Sequence, residues 1–179
     1  MKYIGNFIDR IPAGLIETVL SDPGDLTPVY QPDKWSDRKE YDDARVSLEN
    51  AGYPALDYHF HQYTKNTACI QPYVDQIDFR FDLDDFLHEF HWWFIKLDPG
   101  EMQPMHFDPH VLDTHTCNRY TMMLTDFEDG HIFTYGDVLL NNYKAGDLFL
   151  WPDSMVLHGV ANIGMRPRLS LQMSFSNPK

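Results

Sequence analysis

Cysteine is scarce in this chain: two residues, Cys69 and Cys117, in a length of 179. That number excludes a disulfide framework, and the pair shows no metal-ligand spacing, so free thiols in a reducing cytoplasm are the expectation. Long apolar runs are missing too. None approaches the roughly 20 residues needed to cross a bilayer, and Asn6, Asp9 and Arg10 break up any leader-like core at the start. A cytoplasmic chain with no membrane partner is expected. Basic residues are few, 14 against 27 acidic ones, for a net charge of −13. A surface this acidic repels phosphate backbones and argues against nucleic-acid binding, while leaving room for a small anion held by one or two buried cations. Repeats, low-complexity tracts and Gly/Ser linkers are absent, which predicts one domain over residues 1–179.

What is present changes character near residue 90. Residues 12–22 predict a short helix that Pro12 enters, with Leu15, Ile16, Val19 and Leu20 as its apolar stripe. Residues 38–52 predict a second helix ending at Gly52, and 82–93 fit either a helix or a strand entry. Beyond lie short strand-like runs divided by turn residues: 91–97, 119–125, 131–135, 138–143, 147–151, 156–163 and 168–175. The expected fold is mainly β with supporting helices. Residues 1–90 would supply mostly helical support and flanking strands, and 91–175 a jelly-roll core.

The last run, RLSLQMSF, is the most informative. Leu169, Leu171, Met173 and Phe175 fall on one strand face, and Arg168, Ser170, Gln172 and Ser174 on the other. The apolar face must pack on something, for which the helices are the candidates. If the polar face points inward, Arg168 needs an anion, because an unpaired buried charge is very costly. Guanidinium grips carboxylate with two parallel hydrogen bonds, and Ser170 would add a hydroxyl. Upstream, PMHFDP sets His106 and Asp108 between Pro104 and Pro109, with prolines that read as loop punctuation. Alone that pair favours a surface turn over a metal. With His158, however, it makes two imidazoles and one carboxylate, the facial ligand set of non-haem Fe(II) oxygenases.

In His106-x-Asp108, His158 and Arg168-x-Ser170 the sequence resembles the 2-oxoglutarate/Fe(II)-dependent oxygenases. Its text is most similar to the prolyl-4-hydroxylase-like branch: a helix-opener segment YIGNFIDRIPAGLIE, then RYTMML, GD, AGDLFLW and HGV. The resemblance implies a double-stranded β-helix, cupin-like in shape, with iron held by His106, Asp108 and His158. It also implies 2-oxoglutarate and dioxygen as co-substrates. Arg168 and Ser170 would take the distal carboxylate of 2-oxoglutarate, with a hydrogen bond from Tyr120, and succinate and carbon dioxide would be released as a substrate is hydroxylated. Halogenating relatives lack the ligand carboxylate, so Asp108 favours hydroxylation. The branch often anchors 2-oxoglutarate on lysine, and Arg168 departs from that.

The expected substrate is a peptidyl or free amino-acid side chain, with proline leading. The alternatives are a non-catalytic metal- or anion-binding protein of cupin type, and a zinc- or manganese-dependent hydrolase or isomerase on the same scaffold. Other candidates carry bland readings alongside. His110, His115 and His131 could add ligands or be ordinary. Tyr120 could pack as a core ring. Arg119 could meet a substrate carboxylate, or pair with Glu128 or Asp129. Trp92, Trp93, Phe94 and Trp151 read as core or interface aromatics. The polar stretch 108–118 is where a lid would be expected.

Overall fold

A computed structural model of the protein describes residues 1–24, 26–28, 50, 59–77, 89–106, 115–151 and 156–178. Among them run eleven strands: β1 (Lys2–Asn6), β2 (Leu26–Pro28), β3 (His59–Tyr63), β4 (Glu89–Leu97), β5 (Met102–His106), β6 (His115–Met123), β7 (His131–Tyr135), β8 (Val138–Leu139), β9 (Asp147–Trp151), β10 (His158–Asn162) and β11 (Arg168–Pro178). One helix, α1 (Leu15–Ser21), follows a 3-10 turn at Ile8–Arg10, and a second 3-10 turn spans Gln71–Gln76. No helix among the described residues is long and apolar enough to cross a membrane.

The strands form a seven-stranded sheet, ordered β1-β9-β6-β11-β4-β3-β2, and a four-stranded sheet, ordered β5-β10-β7-β8. Every pairing is antiparallel. From β4 onward the chain passes back and forth between the two sheets. Most neighbours are therefore distant in sequence, in β4-β11-β6-β9 of one sheet and β5-β10-β7 of the other, while β7 and β8 form a hairpin. That order is a double-stranded β-helix, the jelly roll expected from the sequence.

Two apolar cores sit on opposite faces of the larger sheet. The outer one joins Leu15 and Val19 of α1 to Phe94, Leu169, Leu171, Met173 and Phe175. The inner one, between the sheets, includes Ile95, Leu97, Met123, Phe133, Phe149, Trp151 and Val160. The apolar face of β11 thus packs beneath α1, which turns Arg168, Ser170 and Gln172 toward the interior. Each fully buried leucine, methionine or phenylalanine contributes about 1.5–3 kcal/mol, so the outer core fixes the facing of β11 firmly.

Several expectations need correction. Within 1–90 the described residues give one seven-residue helix, α1, which packs on the larger sheet, and three strands, β1, β2 and β3, which extend that sheet at both edges. The supposed helix opener begins as strand β1, because residues 2–6 pair with β9. Helix α1 starts after Gly14 rather than at Pro12. Strand β8 stops at Leu139, and Asn142 then turns with φ 57°. Pro104 lies inside edge strand β5, where a missing N–H costs no ladder bond. Residues 82–93 resolve as strand from Glu89 onward; 82–88, and the helix expected at 38–52 except Asn50, lie outside the described residues.

The A-G-D turn stitches the amino-terminal strand to the barrel. Gly146 has φ 90°, donates its N–H to Met123 O at 2.7 Å and accepts from Phe7 N at 2.8 Å. A Cβ there would collide with Asn6 Oδ1 and with Ile8, so the turn needs glycine for space as well as conformation.

Behind β3 and β4 lies a polar knot. Lys96 Nζ and Tyr63 Oη both donate to Asp22 O, at 2.6 and 3.2 Å. The Cys69 thiol donates to the Asp22 carboxylate, which, with the Gly24 N–H, holds that carboxyl below its usual range. Burial, then the same bond, pushes the thiol up to about 12 from 9.0. Cys69 therefore stays protonated where an ordinary thiol ionises. The stabilisation is complete below pH 9.0 and is lost as pH rises toward about 12. At pH 8.5 Cys69 is expected to alkylate at least about tenfold more slowly than in the unfolded chain, read by mass spectrometry of its peptide. Equal rates would show that the Asp22 bond does not form.

Candidate active site

A cavity of about 250 Å³ lies between the sheets. The smaller sheet supplies Gln103, His106, His158, Gly159 and Val160; the larger supplies Phe60, Gln62, Trp93, Ile95, Arg119, Trp151, Arg168, Ser170 and Gln172.

His106 and His158 meet because β5 and β10 pair antiparallel with these two residues directly opposite. Their ring centroids are 4.3 Å apart. His158 is buried and lies edge-on to Trp151 at 4.7 Å. Its Nδ1 is 2.8 Å from Val156 O. A carbonyl only accepts, so Nδ1 carries the proton and Nε2 keeps its lone pair, the tautomer a metal ligand needs. His106 Nε2 is 3.2 Å from Gln103 Nε2, an amide that can donate to it. Asp108 lies outside the described residues, as do Pro109 and His110, so the structure brings together two of the three expected ligands.

The register between the histidines is irregular: it shifts between His158 and Val160, with a bulge in β5 around Pro104 and Met105. The bulge carries Met105 against Gly159. A Cβ on Gly159 would lie 2.9 Å from Met105 Sδ, 3.0 Å from its N and 3.1 Å from its Cα. Glycine in the HGV motif is thus what lets β5 approach. Gly159→Ala is expected to push β5 away, costing about 1–3 kcal/mol of stability and roughly 10–100-fold in metal affinity. Thermal melts and Co(II) titration check this; an unchanged affinity would mean that strand spacing does not set the ligand geometry.

Arg168 is fully buried, and its Nε and Nη1 have no hydrogen-bond partner. Nη2 reaches Met123 Sδ at 3.4 Å, and the guanidinium lies 5.6 Å from the Phe133 ring. Burial pulls its pKa down, and Tyr143, the one group opposing that fall, is a neutral phenol. Tyr143 continues to His131 Nδ1 at 3.3 Å, and His131 Nε2 to Arg166 O at 3.1 Å. The positive charge is therefore uncompensated among the described residues. This is also where His131 belongs, as part of the wall around Arg168 and away from the histidine pair.

Ser170 is buried two residues along β11, on the same inward face. Thr121 Oγ1 donates to Gln172 Oε1 at 2.7 Å, and Gln172 Nε2 donates to Ser170 Oγ at 3.3 Å. This chain occupies one acceptor lone pair of Ser170 and leaves its O–H available to donate.

Tyr120 is a correction. Strand alternation turns it away from the cavity into the outer core, where its ring meets Phe175 edge-on at 5.5 Å. Its neighbours Arg119 and Thr121 take the inward positions. Arg119 does not pair with Glu128, which binds Arg166 at 3.0 Å, and its guanidinium lies 5.7 Å from the Trp93 ring. Trp92 and Phe94 pack in the outer core, and Trp151, with Trp93 against it, packs in the inner core while also lining the cavity. Of the stretch 108–118, where the sequence suggests a lid, residues 115–118 are strand, the start of β6 paired with β11. Residues 107–114 and the side chains of His115 and Cys117 lie outside the described residues.

Sequence reasoning missed one cluster. His61 Nε2 lies 3.1 Å from Glu101 Oε1 and 3.3 Å from Asp98 Oδ2. It is the one group of acidic and histidine ligand atoms within 4.8 Å of one another among the described residues, and so a possible metal-binding triad. It lies across β3 and β4 from the cavity, and Lys96 Nζ stands 3.5 Å from Asp98 Oδ2 as a resident cation. No sequence spacing announces it, because β3 and the turn after β4 meet only on folding.

No protein-family model and no curated protein matches the chain. Solved structures do, at low similarity. A Cupin 2 conserved barrel domain protein from Salinispora arenicola is 12% identical, over 70% of this chain and 83% of that one, with TM-score 0.39. The Cnp3 cupin domain of Schizosaccharomyces pombe is 15% identical over 51% and 57%, TM-score 0.40. A predicted oxalate decarboxylase from Thermotoga maritima is 20% identical over 48% and 64%, TM-score 0.37. The chain spans about half the length of a putative sugar phosphate isomerase from Acidithiobacillus ferrooxidans that it also matches, at 50% of that chain.

Proposed function

We propose that this protein is an Fe(II)- and 2-oxoglutarate-dependent oxygenase that hydroxylates an amino-acid side chain, peptidyl or free, with proline the leading candidate. One observation carries the reading: a wholly buried guanidinium with unpartnered N–H groups lines the same cavity as two facing imidazoles. A buried cation without a counterion is costly enough to imply an anionic ligand. His106, Asp108 and His158 would hold the metal, and the protonated Nδ1 of His158 presents the correct nitrogen. Bound there, iron supplies the redox chemistry that couples dioxygen and 2-oxoglutarate to hydroxylation.

The chain's own residues bind and orient. Arg168 pairs with the distal carboxylate of the co-substrate, and Ser170 donates its hydroxyl hydrogen to the same group. Phe133 and Met123 keep water from the guanidinium, which strengthens that pairing. Trp151 braces the His158 ring from the side.

Anaerobic addition of Fe(II) and 2-oxoglutarate is expected to give a weak visible charge-transfer band, and air then to release succinate. Natively folded protein without the band overturns the reading. A band without succinate release, across amino acids and proline peptides, would leave a cupin-type binding protein instead.

A further inference from the structure

We infer that Tyr143 and His131 are positioning residues for the Arg168 anchor: they hold the guanidinium from behind, and His131 takes up one proton when a carboxylate binds in front. This rests on the anchoring half of the proposed function, the pairing of Arg168 with a carboxylate, and not on iron or oxidation.

The tautomer of His131 follows from its partners. Arg166 O lies 3.1 Å from Nε2, and Asn162 Nδ2 donates to the same oxygen at 2.8 Å. A carbonyl only accepts, so Nε2 carries the proton and Nδ1 keeps its lone pair. Tyr143 Oη, 3.3 Å from that nitrogen, therefore donates to it. With its hydrogen committed, the phenol turns only lone pairs toward the Arg168 guanidinium, which it also faces. The imidazole thus makes Tyr143 an acceptor, as a group that only donates requires. All three side chains are buried, and burial holds the phenol above its usual range, in the neutral form. Asn162 keeps the frame rigid: it sits opposite His131 in the ladder, and its amide also donates to Leu97 O, opposite Arg168.

Among the described residues, the groups that act on the charge of His131 are Arg168 on β11, Arg166 in the turn before it, Tyr143, and Glu128 with Asp129 beside it in the loop before β7. The Arg166 guanidinium is engaged by Glu128 at 3.0 Å. Burial pulls the pKa of His131 down and the Arg168 charge adds to the fall, against the Arg166 carbonyl and Glu128. The imidazole is therefore neutral at pH 7 while Arg168 has no anion. A carboxylate on Arg168 cancels the cation that opposes protonation, and the pKa of His131 rises. Once protonated by solvent, Nδ1 donates to Tyr143 Oη, which releases the phenol hydrogen to turn toward the bound anion. One proton thus adds charge behind the anchor and a donor at it. The sign follows from linkage: binding raises the pKa, so affinity rises as pH falls through the window between the bound and free values.

The probe is glutarate, which has two carboxylates but no keto oxygen with which to chelate a metal. The His131 ring is followed by proton NMR in metal-free protein, its signal identified by its loss in His131→Gln. Glutarate is expected to raise the pKa of His131, and by reciprocity to bind the protonated protein about fivefold or more tighter than the neutral one. Arg168→Met should raise that pKa with no ligand present and abolish the response to glutarate. His131→Gln should flatten the pH dependence of glutarate affinity, corrected for the ionisation of glutarate itself. Tyr143→Phe, which keeps a ring against Phe127, should weaken glutarate about tenfold and shrink the response of His131. A pKa that stays the same while glutarate still binds through Arg168 overturns the inference and leaves the anchor standing; no glutarate binding at all overturns both. A protein that passes these tests yet gives no charge-transfer band with Fe(II) and 2-oxoglutarate would sink the oxygenase reading alone.

Discussion

Arg168→Met is expected to raise the melting temperature of the ligand-free protein and to abolish its response to 2-oxoglutarate. The two effects have one cause. The guanidinium is fully buried with two unpartnered nitrogens, and among the described residues it is a desolvated charge facing a neutral phenol, a thioether and an aromatic ring. Burial lowers its affinity for the proton, which has the same sign: the fold opposes the charge. Replacing buried ionic groups by apolar ones of similar volume is often stabilising, by about 1–4 kcal/mol. At roughly 2–4 °C per kcal/mol for a chain of this size, melts resolve that gain. Methionine keeps the packing against Met123 and Phe133 while removing the charge. Wild type should gain about 2.7 kcal/mol from a ligand at a hundred times its Kd, and the variant nothing. A destabilised variant that still responds to 2-oxoglutarate would make Arg168 structural and place the anchor elsewhere.

His158→Phe is expected to lower Co(II) or Fe(II) affinity by more than the roughly 10–100-fold typical of a group that merely supports a ligand. Succinate release should fall below detection. The phenyl ring can occupy the imidazole's place against Trp151 and His106, and the loss of the short hydrogen bond to Val156 O costs about 1 kcal/mol. The variant should therefore remain folded by circular dichroism while its Co(II) spectrum disappears. Unaltered metal affinity would direct attention to His61, Asp98 and Glu101.

Much of the barrel was legible because its central strands obey a two-residue alternation. In β11 the alternation gave both the apolar face that packs under α1 and the polar face that carries Arg168 and Ser170. Runs 131–135 and 147–151 match β7 and β9 end to end for the same reason. The same rule, applied one residue further, would have turned Tyr120 outward and Arg119 inward. Strand β5 escaped notice because MQPMH, with its proline, looks like a loop; only its place at a sheet edge makes it a strand. The β3 run HFHQY is too short and too polar to declare a strand, yet it brings His61 to the acidic turn after β4. Contacts between elements distant in sequence, such as His61 with Glu101 or His106 with His158, leave no periodic trace.

Among the described residues, the four outermost strands of the two sheets also share a property that bears on how copies of this chain behave at high concentration. Strand β2 has three residues and ends in Pro28, and β8 has only two. The ladder of β1 breaks between Tyr3 and Gly5, and β5 carries both a bulge and Pro104. Each margin thus offers too few regularly spaced N–H and C=O groups to template a foreign strand. β-rich proteins are exposed to edge-to-edge association, and interrupted margins of this kind oppose it without relying on charge repulsion alone.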